Sequence, residues 1–171
     1  GKSTLAKVIT ALYQPDSGTL AYDGVPVMAS NAQAYREFFS VILSDFHLFD
    51  RFYGIEPDPA VVNRLLKQMG IEKKTAFVDG RFTNLDLSTG QRKRLAMIVA
   101  LLEERPILVF DEWAAEQDAG FRRYFYEELL TGLQAEGRTV IAITHDDRHF
   151  HVADRVVQME FGRIIESQEA K

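Results

Sequence analysis

The sequence contains no cysteine, which excludes disulfides and thiolate metal sites and permits a reducing compartment. It also lacks any plainly apolar run of membrane-spanning length. The run from Leu95 to Leu102 falls far short of the ~20 residues a spanning helix needs. An excess of positive charge is missing too: 20 Lys and Arg face 25 Asp and Glu, for a net charge of −5. That balance argues against broad non-specific nucleic-acid binding, although a local basic groove stays open. No internal repeat, low-complexity tract or signal-peptide pattern is seen.

What is present suits one folded domain. The chain has 171 residues, 46% of them apolar, and a domain of ~150 residues buries roughly 70% of its unfolded surface. The abrupt start on Gly1-Lys2-Ser3-Thr4 reads as a cut inside a longer chain. After it, Leu5, Val8, Ile9 and Leu12 recur at helical spacing, and Pro15-Asp16-Ser17-Gly18 ends that helix. "TLAYDGVPV" reads as a hairpin turning at Asp23-Gly24. Ser30 is placed to cap a short helix through Glu37, and Ser40 to Leu43 follows as a buried strand. Residues 51 to 104 read as mainly helical. One helix there starts at Asp58-Pro59 and ends at Gly70, and a second carries Leu95, Ile98, Val99 and Leu102 on one face.

Two further apolar runs, Ile107–Phe110 and Thr139–Ile143, resemble buried parallel strands. Between them "FRRYFYEELLTGL" has helical periodicity and stops near Gly137, and "RVVQMEFGRIIE" closes as a hairpin. The fold class is therefore α/β, with a helical insert between the two halves of the sheet. Residues 1–50 and 105–171 would form the core and 51–104 the helical part.

Gly1-Lys2-Ser3-Thr4 matches the end of the phosphate-binding G-x-x-x-x-G-K-[ST] loop. Glycine lets backbone N–H groups approach phosphate oxygens, Lys2 brings a point charge, Ser3 offers its hydroxyl to Mg²⁺, and the helix start adds partial positive charge. Four residues alone also fit an ordinary helix start. The strand "ILVFDE" adds weight, because ligands of open α/β sheets sit at the C-terminal ends of strands. There Asp111 would hold Mg²⁺ through water, and Glu112 would act as general base on an attacking water. The plainer alternative is that both carboxylates cap the next helix. Together the two stretches point to a nucleoside-triphosphate site.

Adding Leu87-Ser88-Thr89-Gly90-Gln91, "DEWAAEQD" and "IAITHDD" in that order, the chain resembles the nucleotide-binding domain of an ATP-binding cassette (ABC) transporter. The likeness covers nearly the whole chain. It implies a P-loop NTPase core of RecA-like type with a helical signature subdomain and an antiparallel hairpin. It also implies ATP and Mg²⁺ as ligands, and an ATPase that powers export. "FSVILSDFHLFD", "LSTGQRKRLA", "DEWAAEQD" and "AITHDDRHF" are similar to the subgroup exporting cyclic peptides and peptide siderophores.

The resemblance assigns roles by position. Gly1, Lys2, Ser3 and Thr4 bind nucleotide, while Glu112 and His145 position the attacking water. Ser88, Thr89, Gly90 and Gln91 address the γ-phosphate held by a second copy in a head-to-tail dimer, with Asp118 acting across the same dimer. Ser88 also reads as a plain helix cap, which is compatible with phosphate binding, and a lone His145 after a strand also has a structural reading.

The partners implied are a membrane domain, N-terminal in the same chain, and the second copy, with no nucleic acid. The location implied is the cytoplasmic face of the inner membrane. The rival reading is a non-transport cassette ATPase working as a mechanical switch. Residues 1 to 171 alone are expected to bind ATP poorly.

The chain departs from the family pattern in places. Ser44, in Val41-Ile42-Leu43-Ser44-Asp45, stands where the family has the glutamine of its Q-loop. Ser44 is expected to reach the metal through a water, with Asp45 or His47 compensating. Trp113, Glu116 and Gln117 replace more usual residues, and for Trp113 the sequence offers only the filling of an interface or a loop cavity. Phe46, Leu48, Phe49 and Phe52 read either as core or as a groove for a helix of the membrane domain.

Overall fold

The computed structural model describes residues 1–169. Its centre is a parallel sheet of three strands in the order β3 (Phe39–Ile42), β6 (Ile107–Asp111) and β7 (Thr139–Ile143). The register pairs Ile42 with Phe110 on one side of β6 and Asp111 with Ile143 on the other. Strand side chains alternate between faces, and the burial follows. Leu108, Phe110 and Ile42 enter one apolar cluster, whereas Val109 and Phe39 enter the other. Strand β6 is thus covered on both faces, which is why it reads as an uninterrupted apolar run.

On the Val109 face lie α1 (Lys2–Ile9), with Ala6, and α2 (Ala32–Arg36), with Tyr35. Helix α1 is shorter than its apolar spacing predicts. It is capped at Thr10, and Ala11 adopts φ 53°, so Leu12 lies outside it and is exposed. Neither is Ser30 the cap of α2: Asn31 holds that position, and its side chain accepts from the Met28 N–H at 2.7 Å. Between α1 and α2, β1 (Ala21–Tyr22) and β2 (Val25–Pro26) form the expected hairpin, with Asp23 and Gly24 both at positive φ. Strand β3 begins one residue earlier than its sequence pattern suggests.

The other face carries α3 (Pro59–Gln68) and α4 (Thr89–Leu102). Asp58 caps α3 by accepting from Ala60 N–H at 2.8 Å, and Gly70 at φ 65° turns the chain out of it. The 51–104 stretch is less helical than expected, because β4 (Phe77–Val78) and β5 (Arg81–Phe82) form a small hairpin within it. Helix α4 is buried almost all round, through Leu95, Ala96, Met97, Ile98 and Ala100.

The crossover from β6 to β7 runs through a short 3-10 turn at Trp113–Glu116, then α5 (Ala119–Tyr124), a π-helical stretch at Phe125–Leu130 and α6 (Thr131–Ala135). The expected continuous helix therefore contains a bulge, where Phe125 stacks on Trp113 at 4.4 Å and meets Phe110 edge-on at 5.6 Å. Strands β8 (Arg155–Glu160) and β9 (Arg163–Glu169) form the last hairpin. No helix among the described residues is long and apolar enough to cross a membrane.

Val62 and Leu66 of α3 are fully buried in the larger cluster. Leu66→Ala should lower unfolding free energy by about 2–5 kcal/mol, read as an earlier midpoint in urea. A loss below that range would mean that α3 is loosely seated.

Candidate functional site

Asp111 ends β6 and is 1% exposed. A carboxylate removed from water needs hydrogen-bond partners, and two hydroxyls supply them. Ser3, in the first turn of α1, donates to Oδ1 at 3.1 Å, and Ser44, just beyond β3, donates to Oδ2 at 3.4 Å. Three segments distant in sequence therefore meet at one carboxylate. Asp45 pairs instead with Lys7 at 3.4 Å, and His47 packs edge-on against Phe49 at 4.9 Å.

Among the described residues no group of three or more His, Cys, Asp or Glu side chains could hold a metal. Mg²⁺ needs no such cage, since it keeps several waters and binds through one or two protein oxygens plus substrate phosphates. The Ser3–Asp111–Ser44 cluster of hard oxygen donors fits that ion.

Glu112 follows at φ 51°, ψ 35°, a left-handed conformation uncommon for a residue with a Cβ. Its N–H donates to the Ile143 carbonyl at 3.0 Å, continuing the β6–β7 pairing by one rung. Its carboxylate lies 3.3 Å from Nε2 of His145, and both side chains are substantially exposed. The residues around His145 are pinned. Thr144 accepts from the Tyr126 hydroxyl at 2.9 Å and from the Asp146 N–H at 2.9 Å. Arg148 grips both Asp146 oxygens at 2.7 Å and holds that carboxyl down to about 2. Burial pushes the Tyr126 phenol up.

Gly1 caps α1, and Lys2 and Thr4 occupy its first turn. The Ser88–Gln91 segment opens α4 with a reciprocal capping box. The Ser88 hydroxyl accepts from the Gln91 N–H at 3.4 Å, and Gln91 Oε1 accepts from the Ser88 N–H at 3.1 Å. Ser88 and Thr89 are exposed. Among the described residues, no hydrogen bond joins Ser88, Thr89, Gly90 or Gln91 to Gly1, Lys2, Ser3 or Thr4. The structure thus unites Ser3 with Asp111 and Ser44, and Glu112 with His145, while the start of α4 makes its contacts elsewhere.

Those contacts run to the segment before α5. A Cβ on Gly90 would stand 2.7 Å from the Glu116 carbonyl oxygen, and Gln117 Nε2 donates to the Gly90 carbonyl at 3.1 Å. Arg94 donates to Gln117 at 2.8 Å and to Asp118 at 2.8 Å, with its guanidinium 3.6 Å from the centre of the Phe121 ring. Asp118 caps α5 through the Phe121 N–H, and this bond, with Arg94, lowers its carboxyl below the usual range.

Sequence reasoning missed Lys93 and Arg94. The available signal was a run of basic residues inside an otherwise apolar helix. Trp113 is 1% exposed and fills a buried loop cavity rather than an interface.

The aromatic group after Ser44 divides. Leu48 is buried, and Phe52 packs against Phe77 and Phe82. Phe46, which also packs against the core, and the exposed Phe49 line a groove of about 460 Å³ with Leu12, Val41, Leu43 and His47.

Gly1-Lys2-Ser3-Thr4 at a helix start, a buried aspartate beside it and a Glu–His pair at the adjoining strand end have the layout of a P-loop NTPase of α/β fold. Comparison with known proteins narrows the class. The family model described as ABC transporter matches residues 1–115, so the chain belongs to the ABC transporter family and is an ATPase domain of it. ATP-binding protein SyrD of Pseudomonas syringae pv. syringae is 46% identical over 170 residues, covering 96% of this chain and 30% of that protein. An ATP-dependent lipid A-core flippase of Burkholderia orbicola (strain AU 1054) is 33% identical, covering 97% of this chain and 30% of the flippase. The chain therefore spans about a third of the length of these relatives. A bacterial Atm1-family ABC exporter with ATP bound superposes with a TM-score of 0.83 at 24% identity, over 99% of this chain and 32% of that one. A dimeric ATP-binding cassette in a post-hydrolysis state, bound to ADP and Pi, gives 0.81 at 20% identity, over 100% and 81%.

Gly90→Ala offers a check on the packing at the start of α4. Helix propensity alone would make alanine more stable by up to ~1 kcal/mol. The approach of the Glu116 carbonyl should reverse the sign, so the melting temperature should fall. A rise would show that the turn at Glu116 yields without strain.

Proposed function

We propose that the domain hydrolyses MgATP and that the work drives export of a cyclic or modified peptide or siderophore across the inner membrane. The observation that carries the catalytic part is the Glu112–His145 pair, 3.3 Å apart, one residue beyond the buried Asp111. In this reading Lys2 and the first turn of α1 hold the β- and γ-phosphates. Ser3 and Asp111 would hold Mg²⁺, with Ser44 acting through water, and the ion would supply positive charge against the charge that develops on the phosphates.

Glu112 accepts a hydrogen bond from the attacking water and draws its proton as the oxygen bonds to the γ-phosphorus. The bond to the ADP oxygen breaks in line, and ADP leaves with that electron pair. His145 donates toward a γ-phosphate oxygen and, through its contact with Glu112, fixes the direction of attack. Catalysis comes from positioning and charge stabilisation.

Ser88, Thr89, Gly90 and Gln91 serve the nucleotide of a second copy arranged head to tail, with Asp118 at the same junction. The exposed start of α4, where the Thr89 and Gly90 N–H groups lie outside the capping box, supports this. The groove at Phe46 and Phe49 receives a helix of a membrane domain, which sets the working location at the cytoplasmic face of the membrane. The peptide cargo rests on the stretches around Ser44, Ser88 and His145. The flippase relatives favour a second reading, a lipid cargo.

In the intact protein, Glu112→Gln should lower phosphate release by about 10²–10⁴-fold while MgATP binding and MgATP-dependent dimerisation, followed by light scattering, persist. Retained turnover would remove Glu112 from the role of base. Ser44→Ala should raise the Mg²⁺ concentration needed for half-maximal turnover several-fold. An unchanged requirement would take Ser44 out of the metal's surroundings.

A further inference from the structure

Lys93 lies in the second turn of α4, on the helix whose start carries Ser88 and Gly90, yet its side chain is only 2% exposed. An ammonium removed from water persists only where its donors are matched. Its Nζ donates to the main-chain carbonyl of Glu112 at 2.7 Å and to the carboxylate of Glu116. The link is returned, since the Trp113 indole N–H donates to the Lys93 carbonyl at 2.9 Å. Trp113 is itself clamped by its stacking on Phe125.

The target of the first bond is informative. Lys93 does not touch the Glu112 carboxylate; it holds the peptide that follows the Glu112 Cα. The peptide before it is held from the other side, through the bond from Glu112 N–H to Ile143. Glu112 is thereby fixed in a left-handed conformation by β7 on one side and α4 on the other. That conformation sets where the carboxylate points.

We propose that Lys93 is a positioning residue for hydrolysis: it holds the Glu112 main chain in the turn that directs the carboxylate to His145 and the attacking water. Because Lys93 shares its helix with Ser88 and Gly90, it also ties the aim of one site to the helix that serves the other. The inference rests on the proposed role of Glu112 as base.

The test uses the intact protein and compares Lys93→Met, of similar length without donors, with Lys93→Gln, which keeps an N–H donor without charge. Steady-state kcat and KM for MgATP are read beside thermal unfolding. Misplacement of a catalytic group by about 1 Å costs on the order of 10²-fold. Lys93→Met should therefore lower kcat by about 10- to 100-fold with KM nearly unchanged, and Lys93→Gln should recover part of the loss. In a Glu112→Gln background, Lys93→Met should leave residual single-turnover phosphate release unaltered, because the group it positions is already gone.

An unchanged kcat in Lys93→Met overturns the proposal. So does a parallel loss of nucleotide binding, which a merely structural lysine would give, or a further loss of release in the Glu112→Gln background. If Lys93→Met fails to fold, Lys93→Gln decides by the same split between kcat and KM. Full turnover in Glu112→Gln alone is a different result: it removes the base itself, and the positioning reading falls with it.

Discussion

A carboxylate at the end of a strand buried on both faces has few ways to be satisfied, and much of this molecule is arranged around that constraint. Strand β6 has no solvent-facing side, so Asp111 has only what neighbouring segments bring. They bring hydroxyls: one from the first turn of α1 and one from the loop after β3. Had either been a cation, the pair would have formed a closed structural ion pair. Two neutral hydroxyls leave the carboxylate hydrogen-bonded without a resident cation, which is a chemical opening rather than a lock.

The same strand explains what the sequence made legible. Four apolar residues followed by Asp-Glu mark a buried strand and its ligand end without any partner being known. The α/β class, the two later strands, the Asp23-Gly24 turn and the caps at Asp58 and Ser88 are all local, each set by a few adjacent residues. The convergence of Ser3, Ser44 and Asp111, and of Glu112 with His145, was legible only as an ordered series of motifs. Spacing alone does not tell which ends of which strands become neighbours.

What stayed hidden is tertiary. The basic run in α4 draws the eye to Lys93, but what matches its ammonium is not local, because those atoms come from Glu112 and Glu116. Trp113 likewise finds its partners in α4 and in the π-helical stretch. Helix α1 ends early where Ala11 turns to positive φ, and at Phe125 packing on Trp113 and Phe110 interrupts the regular helical periodicity. The β4–β5 hairpin carries at Asp79-Gly80 the same positive-φ Asp-Gly turn that marks β1–β2, and it escaped because it lies inside a stretch read as mainly helical.

The left-handed backbone at Glu112 has a consequence for how this position can vary. Among residue types, glycine and asparagine suit such a conformation best, whereas a glutamate held there stores strain of about 1–3 kcal/mol. Relaxing that strain would favour folding and remove the carboxylate, so the most comfortable sequence at this point is a chemically silent one. Selection for stability alone would drift away from glutamate. In the proposed reading of Glu112 as base, keeping the acid there costs the fold some of its margin.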